Sequence, residues 1–344
     1  MSGGNSCAQI VIKHMRILIT GGSGFIGTNY VDYVLKFGDV ELINLSLHEP
    51  RDRSHLRFWR RCDLLNTTKL RETIEEFQPT HVVHLAAKTG VSTDLSTFRA
   101  NVEGTRKLID VLRRLSSVER VIFTSSTLVC RLGYIPKHDT DYCPSTAYGQ
   151  SKMEMERLVR ANEDLPFTWT IVRPVYIWGP WSELPLSNLL FKAISQGWYF
   201  HIDSSQYNKS LKSLGYVGNT AHQLYKILTA PVDKIHGKTM YLADPPVTLW
   251  EFAELIREEL GARKIHHMPI GVARLLAIVG DFLKACGWHS VPISSLRLNN
   301  ILMEYVYPLE PIMEIAAPLP YDVRTAIKQT IQWMRHQNKQ ESPA

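Results

Sequence analysis

RILITGGSGFIGTNYVDYVL, residues 16–35, decides the fold. An apolar run (16–20) ends in Gly21-x-x-Gly24-x-x-Gly27, and Phe25 to Lys36 then sets Ile26, Tyr30, Val31 and Val34 on one side of a helix that Gly38 stops. Glycine tolerates left-handed backbone and leaves no side chain between the chain and a ligand. The helix beyond offers free N–H groups and a partial positive charge, which suit a pyrophosphate. A glycine pattern alone is common. One that follows a strand and opens a helix marks a dinucleotide-binding turn. Such a turn expects an acidic residue about 20 positions on to hold the adenosine ribose. Here Asn44 ends the second strand, followed by Ser46, His48, Arg51 and Arg53. Asn44 can bond a hydroxyl and would not repel a 2′-phosphate, which the arginines could bind. NAD and NADP both stay open, and a solvated basic loop over 51–61 is the other use of those arginines.

The alternation continues to about Gly179. Strand-like runs VELIN (40–44), HVVHLAA (81–87), RVIFTSS (120–126) and WTIVRP (169–174) are separated by helical periods. One such period, 69–77, carries Leu70, Ile74 and Phe77 behind the capping candidates Asn66 and Thr67, and 101–115 and 149–161 are further helices. Strands apolar on both faces, each followed by a helix, predict an α/β fold of the Rossmann type, with a doubly wound parallel sheet over 15–179. Beyond 180 the order loosens. Residues 247–262 read as an amphipathic helix, 317–337 hold another with Val323, Ile327, Ile331 and Met334 on one face, and 180–337 is expected to form a smaller, mixed substrate domain that returns in part to the first. Residues 1–14 read as a flexible extension and 338–344 as a tail.

An apolar fraction of 44% with 21% charged residues supports a sizeable core in a chain of 344 residues. The formal charge of +6 favours anionic ligands, but no basic, aromatic platform accompanies it, which argues against nucleic acid. Five scattered cysteines without a Cys-x-x-Cys pair fit a reducing compartment. Residues 1–14 carry no secretion signal. The most apolar later stretch, 269–285, holds Arg274, Asp281 and Lys284 and is too short to span a bilayer, so it reads as a buried amphipathic helix. A cytoplasmic protein with no membrane partner is the expectation. His81 and His84 of HVVH diverge on a strand, and no intact ligand set suggests a metal.

The chemistry is carried by Tyr148-Gly-Gln-Ser-Lys152 at the start of a helix, where a four-residue step stacks Lys152 beside Tyr148. A free phenol, with a pKa of about 10, is a poor base at neutral pH. A neighbouring ammonium is expected to lower that value and make Tyr148 an acid–base for an alcohol–ketone pair. A hydroxyl at the end of the preceding strand should hold the substrate oxygen; Thr124, Ser125, Ser126 and Thr127 stand there, and Ser126 is the choice.

In TGGSGFIG, VVHLAA (82–87), NVEGT (101–105), FTSS (123–126), YGQSK and IVRPVYIWGP (171–180), in that order, the sequence resembles the extended short-chain dehydrogenase/reductase family, also called the NAD-dependent epimerase/dehydratase family. GYVGNTA (215–221) and QWMR (332–335) match more loosely. The resemblance implies that Phe25 and Ile26 lie along the pyrophosphate and that Asp63 and Leu64 sit at the adenine. Leu85, Ala86, Ala87 and Lys88 would line the ribose and nicotinamide side, with Asn101 supporting that wall and Thr124 on the cofactor side. Ser126, Tyr148 and Lys152 would be the catalytic triad. Val175 and Tyr176 would bridge nicotinamide and substrate, with Thr127 on the substrate side. Asn44 and Asn219 both stand where the family often has aspartate.

Departures narrow the reaction. Sugar dehydratases of the family place an Asp-Glu pair after the catalytic hydroxyl, where this chain has Thr127 and Leu128. Enzymes that epimerise at a carbon acid place a cysteine two positions after the serine. Here that position is Leu128, and Cys130 lies two further on. Reduction of a keto-sugar on a nucleotide and C4 epimerisation through a transient ketone remain. The alternatives are an apolar alcohol such as a sterol, for which the tryptophans near RPVYIWGPW would line the pocket or else form core, and a cofactor-binding regulator, which would have lost Tyr148 or Lys152. Homodimers through paired helices are common in proteins resembling this one.

Overall fold

Apolar residues on both faces of each early strand produce a central sheet covered on both sides. The computed structural model describes residues 15–341 apart from 91, 163, 183–184, 204–209, 289–290 and 292. The first half contains β1 (Met15–Thr20), α1 (Phe25–Val34), β2 (Val40–Ser46), β3 (Trp59–Arg61), α2 (Thr67–Phe77), β4 (His81–His84), α3 (Arg99–Leu112), β5 (Arg120–Thr124), α4 (Ala147–Arg160) and β6 (Thr168–Pro174). Then come β7 (Tyr176–Trp178), α5 (Pro185–Ser195), β8 (Phe200–Asp203), β9 (Leu211–Lys212), β10 (Leu214–Tyr216), α6 (Val217–Thr229), α7 (Val232–Ile235) and β11 (Thr239–Leu242). The chain ends with β12 (Val247–Thr248), α8 (Leu249–Leu260), β13 (His266–Pro269), α9 (Ile270–Ala285), α10 (Ser295–Leu302), α11 (Glu310–Ala316) and α12 (Val323–Glu341).

Seven parallel strands run in the order β11-β6-β5-β4-β1-β2-β3. The chain goes from β1 to β2 and β3 on one side and returns to the other side for β4. The order therefore reverses between β1 and β4, opening a crevice at their carboxyl ends. Side chains alternate through the sheet. Ile17, Ile19, Val83, Ile122 and Val172 pack with α1, α6 and α11, while Leu18, Val82, Val121, Phe123 and Ile171 pack with α2, α3 and α4.

One strand lies outside the expectation: Trp59–Arg61, read as part of a basic loop, is the edge strand β3, held where Trp59 Nε1 donates to the Ser46 carbonyl at 3.1 Å. β11 is a return of the second half to the first, closing the opposite edge beside β6. A separate cluster joins β7, β10, α5, α8 and α12 around Trp178, Phe191, Tyr216, Phe252 and Ile327. Trp178 is therefore core and not a pocket wall.

The helix expected over 269–285 forms, but it is not buried. α9 lies on its neighbours through Ala273, Ala277 and Gly280, and its large apolar side chains face outward. The helix expected within 317–337 starts at Val323 and continues into the expected tail, to Glu341. The expected extension 1–14, with residues 342–344, lies outside the described residues.

Candidate active site

The glycine loop is shaped by close approach. Gly21 takes φ +75° and donates its N–H to the Leu45 carbonyl at 2.8 Å. A Cβ on Gly27 would lie 2.4 Å from the Gly21 carbonyl oxygen, so only glycine lets α1 start directly against the loop. Gly24 is the N-cap of α1, no side chain caps the helix, and Gly24, Phe25 and Ile26 remain partly exposed. That end of α1 offers its first-turn N–H groups to an anion. On the far side of the crevice Leu85 and Ala86 are half-buried, and Ala87 and Lys88 are exposed.

Asn44 does not meet its expectation of holding a ribose. It is fully buried, donating to Ser23 Oγ at 3.1 Å and accepting from Ser46 Oγ at 2.7 Å. Its polar atoms are spent bracing the glycine loop from below. Arg51 donates to the Trp181 carbonyl at 2.7 Å, while Arg53 is exposed. Asp63 is also exposed, and the Leu64 side chain belongs to the core. The Val175 side chain likewise points into the core, whereas Tyr176 is half-buried.

α4 carries Tyr148 and Lys152. Thr146 caps it through the Gly149 N–H at 3.0 Å. A Cβ on Gly149 would lie 2.0 Å from the Leu128 carbonyl oxygen, so the missing side chain lets α4 press against the turn that follows Ser126. Ser126 Oγ accepts the Leu128 N–H at 3.1 Å and shares a hydrogen bond with Tyr148. Phe98 meets the Tyr148 ring edge-on, with centroids 5.8 Å apart. Lys152 is buried and donates to the Thr124 carbonyl at 2.7 Å.

The phenol is not activated in the way the sequence suggested. Burial pushes the Tyr148 pKa up to about 12, the Ser126 hydrogen bond opposes this, and no lowering comes from Lys152. The strain of desolvation falls on the lysine, whose pKa burial pushes down to about 8 against the pull of Glu156. The Tyr148 phenol is thus protonated near pH 7.

Three side chains one turn apart tie α4 to the sheet. Lys152 reaches β5; Glu156 reaches β6; Arg160 reaches Thr239 on β11. Glu156 and Arg173 form a fully buried two-pronged pair at 2.9 and 2.7 Å, with Tyr142 donating to Glu156 at 3.0 Å and Arg173 donating to Tyr241 at 2.9 Å. Burial works against the Arg173 charge, and Glu156 more than offsets it, so Arg173 titrates above its ordinary range. Asn101 adds a lateral link. It accepts the Lys88 N–H at 2.7 Å, donates to the Lys88 carbonyl at 3.0 Å, and donates to Ser151 Oγ at 3.0 Å; Ser151 in turn donates to the Tyr148 carbonyl at 2.7 Å.

On the substrate side Thr127 is half-buried and hydrogen-bonded to Tyr307, whose pKa burial pushes up to about 12. Sequence reasoning missed Tyr307, Phe98, Ser151 and Glu156; for Glu156 and Ser151 the i+4 and i+3 spacings from Lys152 and Tyr148 were available signals. Asn219 is buried, donating to Asp244 at 2.9 Å and to the Tyr321 carbonyl at 2.8 Å. Asp244 has its pKa raised by burial to about 7. Cys130 is buried, and its thiol donates to the Asp141 carbonyl at 3.3 Å. His84 lies between Thr20 (2.6 Å) and Thr105 (2.9 Å) and is kept neutral, its pKa pushed down to about 3 by burial and by the Lys152 charge. Among the described residues Asp32, Asp52 and His55 bring donor atoms within 4.8 Å of one another, but His55 is already bonded to Asp32 at 2.7 Å.

The residues present fit a nicotinamide dinucleotide. The α1 terminus suits its pyrophosphate, and the buried Thr124 and Ser125 hydroxyls at the crevice end of β5 have no protein partner. The family model described as NAD dependent epimerase/dehydratase family matches residues 17–243. The chain is 23% identical to N-acetyl-alpha-D-glucosaminyl-diphospho-ditrans,octacis-undecaprenol 4-epimerase of Escherichia coli O157:H7, covering 92% of this chain and 94% of that one. It is 26% identical to a decarboxylating sterol-4-alpha-carboxylate 3-dehydrogenase of Candida albicans over 92% of this chain and 97% of that one. A crystal structure of UDP-glucose 4-epimerase with UDP-glucose from Thermotoga maritima superposes with a TM-score of 0.70 at 17% identity, covering 94% of this chain and 100% of that one, which shows the shared fold. With the family model spanning the crevice, the glycine loop and α4, the chain belongs to the NAD-dependent epimerase/dehydratase family and is an NAD(P)-dependent enzyme of the extended short-chain dehydrogenase type.

Proposed function

We propose that the enzyme exchanges hydride at a hydroxyl or keto carbon of a diphosphate-linked sugar, by C4 epimerisation or 4-keto reduction. The observation that supports this reading is the hydrogen bond between Tyr148 and Ser126, with Lys152 held one helix turn on against Thr124, beside a turn that holds Leu128 and no acid–base pair. Such a set handles an alcohol–ketone pair and lacks the groups for eliminating water. The nicotinamide supplies, when bound, the hydride acceptor and donor. Ser126, whose Oγ accepts from Leu128 and whose hydroxyl meets Tyr148, stands where it would hold the substrate oxygen beside the phenol, and Tyr148 passes its proton to or from that oxygen. Lys152 keeps a positive charge beneath them below pH about 8. Asn101 and Phe98 fix the loop and ring between which this happens.

A nucleotide carrier was the first expectation. A relative matched over nearly its whole length is named for a sugar on a polyprenol diphosphate, which supports a lipid carrier equally well. A second reading, an apolar ring alcohol, is favoured by the relative named for a sterol-4-alpha-carboxylate 3-dehydrogenase, matched over 97% of its length; the second half also holds a small cavity walled by Leu190, Phe200, Ile202, Leu249 and Leu302 together with His201, Ser210 and Lys212. A homodimer through paired helices, common in proteins resembling this one, is compatible with either reading. The test is a panel of a nucleotide-linked N-acetylhexosamine, its polyprenyl-diphosphate counterpart and a sterol, followed by cofactor absorbance and product analysis. Tyr148→Phe should retain NAD(P)H binding and lose turnover by about 100-fold or more. Near-wild-type turnover in that variant would remove Tyr148 from the mechanism.

A further inference from the structure

α9 is amphipathic in the wrong sense for a protein core. Val272, Leu275, Leu276, Val279 and Phe282 recur at the spacing of one helical face, joined by Ile278, and all six are exposed, Leu275 at 64% and Phe282 at 68%. The opposite face, Ala273, Ala277 and Gly280, is the one that packs, against Leu298 and Leu302 of α10. Trp288 (56% exposed) follows just past the helix end, and Leu296 (69%) stands on α10. Six large apolar side chains on one helix leave on the order of several hundred Å² in water, at the upper end of what an ordinary monomer exposes.

The charge around this face chooses its occupant. From Gly261 to Leu302 the chain has five lysines and arginines and one aspartate, which is most of its formal +6. Arg263, Lys264 and Arg274 are exposed, as are His266 and His267. Asp281, the sole carboxylate of that stretch, accepts the Ser295 N–H at 3.2 Å, and Asp203 of the paired strand β8 lies 3.8 Å from His267. A second copy docked face to face would set these cations against themselves, whereas an anionic lipid surface would meet both the cations and the apolar stripe. No helix among the described residues is long and apolar enough to cross a membrane, and α9, at 16 residues, has the length and polarity of one that lies in the interface.

We propose that the outward face of α9, with Trp288 and its basic rim, seats this enzyme on a membrane leaflet rich in anionic headgroups. The face is not remote from the catalytic half. Ile202 and Leu302 belong both to the cluster beneath α9 and to the walls of the apolar cavity, and the chain beyond α10 runs through Tyr305 to Tyr307, which bonds Thr127. Docking stands independently of which substrate is turned over.

The test is flotation of the full-length protein with vesicles of phosphatidylcholine, with and without phosphatidylglycerol, at low and high salt. Binding should be about 100-fold tighter to the anionic vesicles and should weaken with salt. Leu275→Glu with Phe282→Glu should abolish it while NADH titration stays at the wild-type affinity. A second variant, Arg263→Gln with Lys264→Gln and Arg274→Gln, touches no packed atom and should lose only the preference for anionic lipid. Wild-type protein that floats with neither vesicle overturns the proposal. So does a glutamate variant that binds like wild type, or light scattering in which that variant dissociates a wild-type dimer, since the face would then be covered by a second copy.

Discussion

Glu156→Gln should destabilise the fold far more than its small chemical change suggests. The substitution keeps the side chain's shape but removes the charge that pairs with Arg173, both partners being essentially inaccessible to water. Glu156 accepts two guanidinium N–H groups and the Tyr142 hydroxyl. The amide that replaces one oxygen is a donor, so it faces a donor, and Arg173 is left as an uncompensated buried cation. Breaking such a pair from one side costs about 3–5 kcal/mol. At about 2 °C per kcal/mol for a chain of this size, the melting temperature should fall by roughly 6–10 °C. Circular dichroism melts and urea titrations measure it. Glu156→Leu with Arg173→Met should recover most of the loss, because an apolar pair of similar volume leaves no charge stranded. A Glu156→Gln protein within about 1 kcal/mol of wild type would refute the idea that this pair clamps α4 to β6.

Gly149→Ala places a methyl group 2.0 Å from the Leu128 oxygen, so α4 must shift by about 1 Å, and turnover should drop on the order of 100-fold with cofactor affinity kept, which steady-state kinetics and NADH titration separate. Turnover in the reductive direction should hold below pH about 8 and decline above it, because Lys152 loses its proton there and not at 10.5; between those values the unfolded chain binds the proton that the folded lysine sheds, so stability rises with pH across the same window in urea titrations. Asn219→Asp sets a second carboxylate on Asp244, whose pKa is already near 7, and should cost about 1–3 kcal/mol above pH 7 while being tolerated near pH 5, as paired denaturation curves would show.

The first-half fold was legible because its signals are local. A strand apolar on both faces, a glycine loop and a 3.6-residue period follow one another within residues 16–35, and β4 to β6 repeat the theme. The proposed trio Ser126, Tyr148 and Lys152 was readable as a pattern for the same reason, since two share a helix turn and the third caps the turn just past a strand. What failed depended on partners distant in the chain. Asn44 looked free until Ser23 folded over it, and the lowering of the tyrosine pKa ignored the burial that α4 imposes on both groups. Glu156 sits four residues after Lys152, yet nothing local says that Arg173 will lie opposite. α9 was misread because periodicity reports that a helix has an apolar face and is silent about which way that face points; Ala273, Ala277 and Gly280 decide it.

The Asn101 bridge has a consequence for anyone reshaping this enzyme. Through one amide, the backbone of the loop at Lys88 is geared to Ser151 and so to the carbonyl of Tyr148, the proposed acid. Grafting a different 85–88 segment to alter dinucleotide preference would also retune the acid, and losses in rate would be blamed on the new loop. Engineering the two separately begins with a new side chain at 101.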